Sequence, residues 1–67
     1  MNSPIKDKDF DMVSTLYHAS QGASLCSQFS RDAESNSDQE AQEFFDRVAS
    51  QYSDIAQEAK RLLKDKL

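Results

Sequence analysis

Two side chains in this sequence are suited to nucleophilic or acid–base work, His18 and Cys26, and each is the only one of its type. A thiolate–imidazole pair must come within hydrogen-bond reach to activate the sulfur. On one helix, residues eight positions apart project about 80° apart and sit roughly 12 Å apart along the axis. His18 and Cys26 therefore do not form such a pair. Cys26 lies among Ala19, Ala23, Ser30 and Ala33, the setting of a packed thiol rather than an activated one. Asp54 and Glu58 stand one helical turn apart, a spacing able to hold a hard cation weakly through carboxylate oxygens. The other carboxylates of this region, Glu34, Asp38, Glu40, Glu43 and Asp46, read as a solvated acidic face. With one glycine in the chain there is no phosphate-cradling loop and no nucleophile elbow. The residues thus predict no enzyme, no catalytic or metal-ligating set and no cofactor.

Charge narrows the partners. Twelve acidic residues against eight basic ones leave a net charge of −4. No basic stripe with interleaved aromatics is present, which disfavours nucleic acid. Lys60, Arg61, Lys64 and Lys66 are the one basic concentration, and they suit the negative carboxyl end of a helix. A hairpin that binds RNA through this patch is the weakest of the readings. No apolar run spans a bilayer, and neither a secretion signal nor a lipidation motif is seen. Together with a lone cysteine this points to a reducing cytoplasm. A single core in a chain of 67 residues rarely supplies more than roughly 3–5 kcal/mol without a staple. One cysteine allows no internal disulfide, and one histidine gives no zinc-ligand cluster. Oligomerisation remains, most simply a homodimer.

The elements that position these residues are two helices. The break falls at Ser35–Glu40. Ser37 followed by Glu40 three residues later is a capping box, and Asn36 is able to take the left-handed conformation that closes a helix. The chain is expected to be one domain over 1–67. Its first helix covers about 7–34, the turn 35–37, and the second helix about 38–66. Ser3-Pro4, Asp7 and Asp9 are alternative starts for the first helix. Helices of about 27–29 residues measure about 40 Å each, and equal lengths around a tight turn give an antiparallel hairpin. A cap at Ser37 implies that Ser37→Ala costs about 1 kcal/mol.

The second helix is amphipathic. Ala41, Phe44, Phe45, Val48, Tyr52, Ile55, Ala59, Leu62 and Leu63 fall on one face at about 100° per residue. The first helix has a narrow seam of Met12, Leu16, Ala19, Ala23, Cys26, Ser30 and Ala33, mostly small, against which that stripe packs closely. Its larger side chains lie off the seam, with Phe10, Val13 and Tyr17 to one side and Leu25 and Phe29, beside Gly22, to the other. These six residues are the expected oligomer or partner interface. Two hairpins pairing into a four-helix bundle would cover both flanks.

The runs Leu16-Tyr17-His18-Ala19-Ser20-Gln21-Gly22-Ala23, Phe29-Ser30-Arg31-Asp32-Ala33-Glu34, Asp38-Gln39-Glu40 and Phe44-Phe45 resemble a ferritin-like helical hairpin. The likeness covers nearly the whole chain, and its motifs are low in specificity. It implies a half-bundle that pairs with another hairpin. The family's metal ligands do not carry over. Gln21 stands where the first-helix Glu would be, and Gln51-Tyr52-Ser53-Asp54 where Glu-x-x-His would be. Neutral amides are poor ligands for iron, so the resemblance implies a metal-free relative.

The expectation from sequence is an all-α antiparallel hairpin that dimerises into a four-helix bundle. Its function is that of a small, acidic, cytoplasmic, non-enzymatic protein acting through helix–helix contacts, with itself, with another protein, or both. The alternative is a ferritin-like protein that binds a metal or small ligand through His18, Asp54 and Glu58.

Overall fold

A computed structural model describes residues 7–64 and 66. The protein is all-α. Helix α1 runs Asp7–Ser35 and helix α2 runs Gln39–Leu63. They pack side by side as an antiparallel hairpin whose Cα envelope measures 48 × 21 × 11 Å. The smallest dimension is that of one layer of helix. The alternative start at Ser3-Pro4 lies outside the described residues. At the other end α2 stops three residues short of the expected 66. The Lys64 and Lys66 amides donate to Arg61 and Leu63 carbonyls at 3.3 and 2.9 Å in closing turns.

Local chemistry explains both ends of the connection. Asp7 and Asp9 place negative charge in the first turn of α1, where the exposed amides favour it. The last turn of α1 carries no basic residue, so its free carbonyls take backbone donors instead. Ser37 N–H donates to Glu34 O at 3.0 Å and Asp38 N–H to Ala33 O at 2.9 Å. This pair of bonds is a Schellman closure, which needs one left-handed residue. That residue is Ser37, with φ 56°. Asn36 also secures the end, its Nδ2 donating to Asp32 O at 2.9 Å.

The capping assignment from sequence is therefore corrected by one position. Ser37 is the left-handed residue, a role expected of Asn36, and Asp38 is the N-cap. Asp38 Oδ1 accepts from Ala41 N–H at 3.1 Å, and Asp38 O accepts from Gln42 N–H at 3.0 Å. The reason is economy of donors. The Asp38 amide is consumed in closing α1, so the same residue closes one helix and opens the next. No residue is left over for a capping box.

The core is a thin seam. The buried apolar residues among those described are Ala19, Cys26, Ala33, Ala59 and Leu63. Ser30 is buried with them and donates to Asp46 Oδ1 at 2.5 Å across the two helices. The small seam of α1 expected from sequence is thus in place. It admits α2 closely but contributes little apolar volume. A methyl group buries less than about 1 kcal/mol, whereas Leu63 contributes about 1.5–3 kcal/mol.

Substitutions at the turn separate the two cap assignments. Asp38→Ala is expected to lower stability by about 1 kcal/mol through loss of the cap. Ser37→Gly is expected to raise it by about 0.5–1 kcal/mol by relieving the left-handed backbone. Chemical denaturation measures both. A loss at Ser37→Gly would contradict the geometry.

Candidate interaction surface

Every large side chain expected at an interface is on the surface. Phe10, Tyr17, Leu25 and Phe29 expose 40 to 60 % of their area, while Val13 and Gly22 are half-buried. The structure divides them between two surfaces. Leu25 and Phe29 share a face with side chains of α2. Leu25 lines a groove of about 550 Å³ with Gly22, Tyr52 and Ile55. Phe29 meets Phe45 edge-on at 5.5 Å, and Phe45 meets Phe44 at 5.3 Å. Phe10 and Tyr17 lie on the far side of α1. They stand nine and two residues before the buried Ala19, which places them about 180° and 160° around the helix.

The sequence reading missed the contribution of α2. Its whole apolar stripe was expected to pack on the seam of α1. Instead Phe44, Tyr52, Ile55 and Leu62 remain 37 to 49 % exposed. A stripe wider than about 100° cannot be covered by one neighbouring helix. Phe44, Ile55 and Leu62 are spaced by eleven and seven residues, so they share the uncovered side of that stripe. The signal was present in the width of the pattern. The missing information was which edge of it α1 would cover.

Gly22, a helix-interior glycine suited to close approach at a helix crossing, makes that approach within the chain. A Cβ on Gly22 would stand 2.9–3.0 Å from the Tyr52 ring. The close approach it permits is made by the chain's own α2. Tyr52 is thereby seated over α1, with its remaining surface forming part of the face. At one end of this face Arg47 lies over the Phe44 ring at 5.8 Å.

Two grooves between the helices differ in chemistry. The one with Leu25, Tyr52 and Ile55 is lined by no Asp, Glu, Lys or Arg. Ser20, Ser53, Gln57 and Lys60 line the opposite one together with Leu16, Ala23 and Ala56. The first groove is thus the more apolar, and the second is mixed and carries a lysine. His18 stands at the margin of the apolar groove. Its Nδ1 bonds within α1 to the Ser14 carbonyl at 2.8 Å, and its ring meets Tyr17 edge-on at 5.3 Å.

The residues singled out for metal or thiol chemistry are not brought together. Among the described residues, no three of His, Cys, Asp and Glu group in a way that could hold a metal ion. His18, Asp54 and Glu58 do not converge, and Glu58 faces Arg61 at 3.8 Å in an exposed ion pair. Cys26 is a buried free thiol in the seam. Among the described residues, no helix is long and apolar enough to cross a membrane. Comparison with known proteins found no match to a protein-family model, a curated protein or a solved structure.

A double-mutant cycle tests the seat of Tyr52. Gly22→Ala should gain about 0.5–1 kcal/mol of helix propensity in a Tyr52→Ala background. With Tyr52 present, the ring must shift and most of that gain should vanish. Equal gains in both backgrounds would mean that Tyr52 does not rest on Gly22.

Proposed function

We propose that this is a small, non-enzymatic, cytoplasmic protein that works by helix–helix contact, through homo-oligomerisation, a protein partner, or both. The observation that carries this reading is the imbalance between core and surface. Only small residues and Leu63 fill the buried apolar seam, while eight large apolar side chains are substantially exposed among the described residues. Exposed apolar side chains scattered singly are ordinary, but contiguous patches mark contact surfaces. Here the side chains of the apolar face are contiguous through the Phe29–Phe45–Phe44 cluster and the Leu25–Tyr52–Ile55 groove.

Size argues in the same direction. Chains of this length that lack disulfides and metal commonly gain the rest of their stability by association. The layout of the hairpin, with helices of near-equal length and one broad side more apolar than the other, suits half of a four-helix bundle. The resemblance to a ferritin-like hairpin also implies a half-bundle. The absence of a convergent ligand set among the described residues leaves the metal-binding alternative without a specific observation in its favour.

Chemical cross-linking in cells that express the chain tests the reading. The expected product is a discrete species heavier than the 7.6 kDa chain, at the mass of two copies or of a defined complex. Recovery of the chain only at its own mass would contradict the proposal.

A further inference from the structure

We infer that the face carrying Leu25, Phe29, Phe44, Tyr52, Ile55 and Leu62 is covered by the same face of a second copy of this chain. The inference rests on the reading of the protein as one that acts by helix–helix contact, and it names both the surface and its occupant.

Area is the first argument. The six side chains are each 37 to 49 % exposed. At roughly 200 Å² for a large apolar side chain, they present on the order of 500 Å² together. Two copies bring about 1,000 Å². A stable interface of standard size buries about 1,600 Å² in total, and a homodimer interface is about 65 % apolar. The apolar part of such an interface is therefore about 1,000 Å², which this face supplies when it meets itself.

Charge is the second. The chain carries −4, so two copies repel wherever their acidic surfaces meet. The groove at the middle of the apolar face is lined by no Asp, Glu, Lys or Arg, and His18 is the one titratable cationic side chain at its margin. A second copy finds no like charge there, whereas a basic partner would find no carboxylate to pair with. Charged side chains stand toward the ends of the face, Asp32 and Asp38 beside Phe29, Arg47 over the Phe44 ring, and Lys8, Asp9 and Lys66 beside Leu62. Both signs are present there, and water screens them.

Shape is the third. The hairpin is one helix layer thick, 11 Å across its smallest Cα dimension. Domains are built from at least two packed layers around a core. The face runs from the aromatic cluster of Phe29, Phe45 and Phe44 near the turn to Leu62, which shares a recess with Met12 at the open end. A covering element must match that length, and another copy of the hairpin does. Phe10 and Tyr17, on the far side of α1, stay outside this contact.

Two measurements test the assignment. In sedimentation velocity the wild-type chain is expected at twice its 7.6 kDa mass. Ile55→Glu is expected to sediment as a monomer, and Tyr17→Glu as a dimer. A second measurement does not disturb the face with charge. The chain has no tryptophan and two tyrosines, so each tyrosine can be read alone. In Tyr17→Phe, acrylamide quenching of Tyr52 emission should fall at least about twofold as concentration passes the dissociation constant, since a central interface residue is shielded from solvent. In Tyr52→Phe, quenching of Tyr17 should not change. Shielding of Tyr17 instead, with dissociation by Tyr17→Glu and not by Ile55→Glu, would overturn this face while leaving association intact. A wild-type chain that stays monomeric up to about 1 mM would overturn the second copy as occupant. If that monomer also bound no dye specific for apolar surfaces, the broader reading would fall with it. Strong dye binding would leave that reading standing with a different partner.

Discussion

The packing of one narrow, small-residue seam against one side of a wider apolar stripe is the constraint on which the hairpin depends. Ala19, Cys26 and Ala33 let α2 approach closely, and Ala59 and Leu63 meet that seam from the other side. Close approach joins the two helices but buries little apolar volume. A helix in a two-helix hairpin has one neighbour, and one neighbour covers one side. The surplus on α2, from Phe44 to Leu62, is therefore left on the surface, and so are the large residues that α1 carries off its seam. Gly22 extends the same logic, since the Tyr52 ring lies over α1 where a Cβ would force it to shift.

The turn keeps this arrangement in register. Ser37 takes the left-handed conformation, and the Asp38 amide closes α1 while its carboxylate opens α2. With so short a link, the helices cannot slide far along each other without breaking bonds at both ends. The more apolar groove on one broad side and the mixed groove on the other follow from that register. The apolar surface is thereby gathered from both helices into one face rather than left as a scatter of exposed side chains.

Much of the architecture was legible in the residues. The break at Ser35–Glu40, the antiparallel pair, the small seam of α1 and the stripe of α2 all follow from spacing and composition. The cap was misplaced by one position because Ser37 and Asp38 are both good cap residues. Only the backbone bonds to Ala33 and Glu34 decide between them. The exposed apolar face was half legible. Leu25 and Phe29 stood out because they lie off a narrow seam, whereas Phe44, Ile55 and Leu62 were hidden within a stripe that looked like core. A helical wheel shows the width of a stripe. It does not show which edge a partner helix will take, because that depends on tilt and register set at the turn.

On the proposed reading a single copy is an incomplete fold. Stability should then depend on protomer concentration, because association stabilises the folded state by mass action. Thermal unfolding followed by circular dichroism across a thousand-fold dilution series tests this most directly. The account predicts that the midpoint rises steadily with concentration, and that the unfolding transition of the concentrated sample is a single cooperative step. A midpoint that stays the same across the whole series, in a well-folded chain sedimenting as a monomer, would contradict it.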